Sequence, residues 1–207
     1  MVSRRVFENY LNQLLAVNDV TDYCPNGLQV QGKGEIASIV TGVTACQALL
    51  DEAVLRKADA VLVHHGYFWK GDPLQITGCR YRRLKTILSH DINLFAYHLP
   101  LDIHADFGNN LLLAQKLQIE VDGSFPYASI AGLGSHGHFS TALPPQKLAD
   151  RIEQCLSRKP LYVAGQSDVI KTVAWCTGAA QDMLERASEY DVDAFITGEV
   201  SERTVHL

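Results

Sequence analysis

No apolar run in the chain approaches the ~20 residues that a bilayer-spanning helix needs, which excludes a membrane partner of that kind. The opening residues Met1-Val2-Ser3-Arg4-Arg5 lack the apolar stretch of a secretory signal, so the cytoplasm is the expected location. Also missing is any C-x-x-C spacing. The five cysteines, Cys24, Cys46, Cys79, Cys155 and Cys176, are odd in number and far apart, which argues against a disulfide framework. No long run of Lys and Arg interrupts a net charge of -5, so the electrostatic footprint of a nucleic-acid binder is absent. The one basic cluster, Arg80, Arg82, Arg83 and Lys85, reads as a solvated helix face rather than a phosphate site.

What is present is an ordinary globular composition of 47% hydrophobic and 20% charged residues over 207 positions, enough for one large domain or two small ones. Apolar residues at three-and-four spacing predict a helix from Val6 to Leu15. A β-branched strand from Ile36 to Val43, a helix from Ala45 to Lys57 and an apolar strand at Ala60 to Val63 follow in β-α-β order. The alternation continues with a helix at Tyr81 to Ser89, a strand at Asn93 to Tyr97 and a helix at Asn109 to Leu117. Short apolar strands spaced by helices favour a largely parallel, buried sheet. Near Asp122-Gly123-Ser124-Phe125-Pro126 the pattern breaks, and Gly132, Gly134 and Gly137 follow. The expected organisation is therefore a first α/β lobe over 1–123 and a second over 124–207. In the second lobe a strand near His138 to Thr141, a helix from Pro145 to Leu156 and strands near Leu161 and Val173 are expected.

A weak internal repeat supports two similar lobes. Leu50 to Ala53 followed by Asp59 to His65 parallels Leu184 to Ala187 followed by Asp193 to Glu199, and Thr41-Gly42 matches Thr177-Gly178 at a shifted offset. Chance similarity between two ordinary α-β units is the alternative. If the repeat holds, His64-His65 and Glu199 occupy equivalent strand ends.

In parallel sheets ligands bind beyond the carboxyl ends of strands, where His64 and His65 stand. Adjacent strand residues point to different sides, which favours two neighbouring metals each taking one imidazole. The bland alternative is one histidine capping the strand and the other buried by hydrogen bonding. The next strand end, His98-Leu99-Pro100-Leu101-Asp102-Ile103-His104, adds a carboxylate that can bridge two cations about 3.5 to 4 Å apart. Asp102 is the expected bridging ligand, and zinc, iron, manganese, nickel or cobalt all suit such a set. His98 is a candidate for orienting a ligand or handling a proton, and Glu199 is a second such candidate. His104 reads either as a proton-handling group or as a cap on the following turn. His136-x-His138 reads as a solvent-exposed loop without an adjacent carboxylate, and His90 as a partner of a helix C-terminus. The glycines at 132, 134 and 137 do not form the G-x-G-x-x-G fingerprint, and no catalytic Ser or Cys triad is evident, so the catalytic residues stay unassigned.

Five motifs taken together carry a resemblance: Asn26-Gly27-Leu28-Gln29-Val30, Val63-His64-His65-Gly66-Tyr67-Phe68-Trp69-Lys70, Tyr97-His98-Leu99-Pro100-Leu101-Asp102, Gly108-Asn109-Asn110 and Ile196-Thr197-Gly198-Glu199-Val200-Ser201-Glu202. In order and spacing the chain resembles the interacting-factor-three-like family, often labelled GTP cyclohydrolase I type 2 homologues. The resemblance implies two linked α/β lobes with two divalent metal ions between them and a homohexameric ring. It implies His64, His65 and Asp102 as ligands. Family members complete the site with a His and a Glu from a later Gly-His-His-x-x-x-Glu stretch. This sequence reaches Leu207 before such a stretch, so three of the five ligands are expected here, as in a C-terminally truncated member.

Two functions from different classes fit. One is a metal-dependent hydrolase acting on a small, nucleotide-like molecule, with one ion lowering the pKa of bound water and the other holding the substrate. The other is a non-catalytic metal-binding or regulatory interaction protein. Metal content and turnover separate the two.

Overall fold

The computed structural model describes residues 1–207. The fold is mixed α/β and divides into two compact units, Met1–Leu101 and Asp102–Leu207. This division falls well before residue 123, because the helix at Asn109–Leu117 packs through Ala114 and Leu117 into the core of the second unit.

The first unit contains β1 (Val2–Ser3), α1 (Arg4–Leu14), β2 (Gly27–Val30), β3 (Glu35–Ile36), β4 (Ile39–Thr44), α2 (Gln47–Leu55), β5 (Ala60–His65), α3 (Gly78–Ser89) and β6 (Asn93–Ala96). The short α4 (Leu99–Asp102) follows. Its four-stranded sheet has the order β2-β6-β5-β4, parallel across β4, β5 and β6, with β2 antiparallel at the edge. The central strands are apolar on both faces because each face is covered. Val61, Val63, Leu94 and Ala96 pack against Leu50 and Ala53 of α2 and Leu84 and Ile87 of α3. On the other face Ala60 and Phe95 meet α1, whose Phe7 ring stands edge-on to Phe95 with centroids 5.2 Å apart. The Ser3 hydroxyl starts α1 by accepting from the Val6 N–H at 3.3 Å. At the end of α3, Nδ1 of His90 lies 2.9 Å from the Thr86 carbonyl, a capping contact for a carbonyl that the helix leaves unpaired. Two basic residues of α3 lie over aromatic rings, Lys85 over Tyr81 and Arg80 over Phe68, whereas Arg83 is half-buried.

The second unit contains α5 (Asn109–Leu117), β7 (Glu120–Tyr127), β8 (Ile130–Leu143), α6 (Pro145–Leu156), β9 (Ile170–Cys176), α7 (Leu184–Ser188) and β10 (Ala194–Thr197). Its sheet order is β10-β9-β8-β7, and only β10 and β9 are parallel. The sheets are thus mixed, and the parallel pattern dominates only in the first. The stretch whose glycines and proline read as a lobe boundary is the β7–β8 hairpin, and a short hairpin turn permits only antiparallel pairing. Glycine serves close packing there: a Cβ at Gly134 would lie 2.2 Å from the Phe125 ring, and one at Gly137 2.1 Å from the Glu120 carbonyl oxygen. Pro126 is tolerated because β7 is an edge strand. Two further expectations change. Residues 159–165 form no strand, and Leu161 there is exposed. His136 and His138 lie within β8 rather than in a loop, and His138 is flanked across the hairpin by Asp122 at 2.9 Å and Glu120 at 3.4 Å. No helix is long and apolar enough to cross a membrane.

Candidate metal centre

β5 ends on His64 and His65, and the chain then turns tightly through Gly66. A Cβ at that glycine would fall 2.2 Å from Gln29 Oε1 and 2.7 Å from the Ala96 Cβ, so glycine lets the turn close against β2 and β6. Gln29 holds the turn by accepting from the Tyr67 N–H at 2.6 Å. Tyr67 is buried, its hydroxyl donates to the Ala45 carbonyl at 2.8 Å, and burial pushes its phenol up to about 12.

The two adjacent histidines do not diverge to opposite faces as strand alternation would have it. Their ring centroids are 4.6 Å apart, and His98 joins them at 5.0 Å from His64 and 5.7 Å from His65. One ring nitrogen from each of the three lies within 4.8 Å of the others. The ends of β5 and β6 therefore bring His64, His65 and His98 together. Both histidines lie within β5, so strand alternation by itself does not keep two imidazoles at the strand end apart.

Each ring is held through Nδ1. In His64 it lies 2.9 Å from the Tyr97 carbonyl, an oxygen that can only accept, so Nδ1 carries the proton and Nε2 the lone pair of the neutral ring. In His98 it lies 2.9 Å from Asp22 Oδ1, again an acceptor when ionised. In His65 it lies 3.2 Å from the Thr44 hydroxyl. Asp22 is itself fixed, accepting from Asn26 Nδ2 at 2.8 Å and from the Leu99 N–H at 2.9 Å. Burial pushes the Asp22 carboxyl up, but hydrogen bonds from His98 and Asn26, the charge on His98 and the Leu99 N–H outweigh it and hold the group at about 2. Asn26 also accepts from the His98 N–H at 2.7 Å, so the Asn26-Gly27 turn anchors both the ring and the backbone of that histidine. Trp69 stands edge-on to His98 with centroids 4.9 Å apart and walls the cluster.

Imidazoles anchored at one nitrogen and presenting the other are the donor set of borderline divalent ions, so the residues fit such a metal. Cys24 does not extend the set. Its buried thiol is pushed up to about 12 by burial and by the Asp22 charge, and its Sγ lies 3.9 Å from Asp22 as a donor.

Asp102 ends α4, is 6% exposed, and accepts from Asn109 Nδ2 at 2.7 Å. Gly108 makes that return possible, since a Cβ there would lie 2.8 Å from the Asp102 carbonyl oxygen and 2.4 Å from that of His104. Burial and the Asp102 charge push the Cys176 thiol up to about 12, so it is a protonated neighbour rather than a thiolate. Glu199 lies just past β10 and is exposed. Nδ1 of His104 accepts from the Asp106 N–H at 3.1 Å and its ring stacks on Phe107, the geometry of a turn cap. A cavity of about 350 Å³ beside Asp102 is lined by His104, Asn110, Ser124, Ser135 and Trp175. A larger, open groove of about 660 Å³ between β4 and α2 contains none of the candidate ligands.

Asp22 and Thr44 carry parts of this site that the sequence did not disclose, and Trp69 stood within the Val63–Lys70 motif without an assigned role. Asp22 lies far from His98 in the chain and outside any recognisable spacing, whereas Asn26 and Gln29 stood within a quoted motif without an assignable role.

The family model described as Duf34/NIF3 (NGG1p interacting factor 3) matches residues 2–207. A protein of Vibrio cholerae named GTP cyclohydrolase 1 type 2 homolog is 52% identical over 201 residues, covering 96% of this chain and 79% of that protein. One of the same name from Yersinia pestis is 50% identical over 201 residues, covering 97% of this chain and 79% of its own length. Among solved structures, protein ybgI, described as of unknown function, superposes with a TM-score of 0.94 at 49% identity, covering 99% of this chain and 81% of that one.

Proposed function

Because the chain belongs to the Duf34/NIF3 family, we propose that it is a divalent-metal protein in which His64, His65 and Asp102 supply the ligands and water is activated to hydrolyse a small, nucleotide-like molecule. The observation that carries this reading is the anchoring of His64 through Nδ1 on the Tyr97 carbonyl, which fixes the tautomer that offers Nε2 as a ligand. Bound ions would lower the pKa of a coordinated water and polarise the substrate. The chain's own residues do the rest. Thr44 and the Tyr97 carbonyl orient the two rings of the His64-His65 pair. Asn109 holds one carboxylate oxygen of Asp102, which leaves the direction of the other defined. The cavity beside Asp102, with Ser124 and Ser135 in its lining, is the proposed seat of the substrate.

Two ions, a hexameric ring and a cytoplasmic location complete the reading. The substrate class rests on the names of the relatives. The test is elemental analysis of the purified protein, then a hydrolysis screen against nucleotides and simpler phosphate esters with the metal found restored. Light scattering on the same sample reports the assembly. Stoichiometric metal with metal-dependent turnover supports the reading. Metal without turnover leaves a binding protein, and no metal removes both.

A further inference from the structure

The cavity of about 350 Å³ in the second unit has one acid and one histidine in its lining, Asp102 and His104, and neither a lysine nor an arginine. Ser124, Ser135 and Trp175 stand opposite one another in register across β7, β8 and β9, so their side chains form one row on a single face of the sheet. Behind that row the polar groups of Asn110 are spent on the fold. Its Nδ2 donates to the Leu133 carbonyl, its Oδ1 accepts from the Thr177 N–H, and its backbone carbonyl accepts from the Trp175 indole, each at 2.9 Å. What remains to meet a ligand is a pair of hydroxyls, Ser124 at the rim and the half-buried Ser135, which no other group of the chain engages. Gly132, at φ 70°, leaves space beside the first of them, since a Cβ there would lie 3.5 Å from the Ser124 Oγ.

A phosphate seated there would lose solvation with no guanidinium or ammonium group to replace it. The N-terminal end of α5 favours an anion, but it already holds the Asp102 carboxylate through Asn109 at 2.7 Å, and a second negative charge beside that one is repelled. Leu111 and Val121 add apolar surface to the walls. The volume lies at the lower end of the ~300–1,000 Å³ typical of ligand pockets, room for a ring system rather than for a whole nucleotide. We propose that the cavity seats an uncharged heterocycle, the base of a nucleoside-like substrate, with the Ser124 and Ser135 hydroxyls hydrogen-bonded to its edge and phosphate groups left outside. This deepens the substrate seat inferred above and rests on it. A serine hydroxyl both donates and accepts, so the pair matches the mixed donors and acceptors of a base edge. A nucleoside without phosphate is then a sufficient ligand.

Because an ion at Asp102 would itself draw phosphate, the experiment uses the full chain stripped with chelator and follows saturation-transfer NMR of the ligand. Guanosine, adenosine, cytidine and uridine are each offered, beside their 5′-monophosphates and inorganic phosphate. At least one nucleoside should bind with saturation strongest on its base protons, within about three-fold of the affinity of its monophosphate, and inorganic phosphate should not displace it. Ser124→Ala and Ser135→Ala should each weaken that binding by about five-fold, the worth of one hydrogen bond, with circular dichroism unchanged. A monophosphate preferred beyond that margin, displacement by inorganic phosphate, or no nucleoside bound overturns the proposal, and all three are read on the wild type. Two serine variants that bind as the wild type does also overturn it. Metal-dependent turnover of simple phosphate esters without nucleoside binding would remove this proposal and keep the hydrolase reading. Nucleoside binding without turnover would keep the ring seat and remove the hydrolase.

Discussion

The β4–α2–β5 unit and the β9–α7–β10 unit are built alike at their base and differ at their tip. Asp59 accepts from the N–H groups of Ala37 and Ser38 at 2.9 and 3.1 Å, and its own N–H donates to the Ser38 carbonyl at 2.9 Å. Asp193 repeats the device, accepting from Lys171 and Thr172 at 2.8 and 2.9 Å and donating to the Thr172 carbonyl at 3.0 Å. The parallel registers then agree, with Leu62 opposite Thr41 and Ile196 opposite Trp175. The counterparts of Thr41-Gly42 are therefore Trp175-Cys176, and the Thr-Gly match read at a shifted offset is a coincidence of composition. At the tip, one unit ends in His64-His65 and the other in Gly198-Glu199. Around them the sheets diverge: β5 is followed by parallel β6, while β9 is flanked by antiparallel β8. A shared supersecondary frame thus accepts different chemistry at its end, and the frame alone does not define a site.

The largest expected contrast lies at the tips. His64→Ala and His65→Ala should each weaken metal binding by at least ten-fold, and Asp102→Ala should reduce bound metal below the wild-type content, whereas Glu199→Ala should leave it unchanged. Elemental analysis after dialysis checks all four. Loss of metal in Glu199→Ala would mean that the second tip shares the function, and the contrast would fail.

Next come the register partners. Trp175 is fully buried, and its indole donates to the Asn110 carbonyl at 2.9 Å, so Trp175→Ala should cost about 3–5 kcal/mol. Its counterpart Thr41 is exposed, and Thr41→Ala should stay within about 0.5 kcal/mol. Urea unfolding of the two variants decides whether equal register carries unequal packing.

The smallest effects are at the shared base. Asp59→Ala should cost about 2 kcal/mol and the more exposed Asp193→Ala about 1 kcal/mol, from the loss of charge-assisted hydrogen bonds. Both carboxyls sit below their ordinary value. Asp59 is lowered by Lys33 and then by the Ala37 and Ser38 N–H groups against its burial; at Asp193 burial pushes up, and the bonds from Thr172 and Lys171 outweigh it. Since the folded pKa is the lower one, this stabilisation is complete above the unfolded value of about 3.9 and is lost as pH falls through the folded values. The double variant should show a shallower loss of stability below about pH 4 than the wild type. An unchanged acid limb would mean the two aspartates are not the equivalent anchors that their geometry indicates.

The sequence revealed the elements whose periodicity is local. The helices Asn109–Leu117 and Pro145–Leu156 appear with their expected bounds, and β4, β5 and β6 lie close to theirs, whereas the edge strand β2 was not expected. It was misleading where glycine serves cross-strand packing, as at Gly134 beneath Phe125, because composition there matches that of a loop. Of the site, His64 and His65 were visible as a polar pair closing an apolar strand. Asp22 was not, since its value comes from a contact with a residue distant in the chain. The pairing of His138 with Asp122 and Glu120 was hidden for the same reason.

The claim that the chemistry sits at the end of β5 is tested most directly by X-ray absorption at the metal edge of the zinc-loaded chain. Expected is imidazole scattering with nitrogen donors at about 2.0–2.1 Å, diminished in His64→Ala. A first shell of oxygen alone, indistinguishable between wild type and His64→Ala, would contradict it.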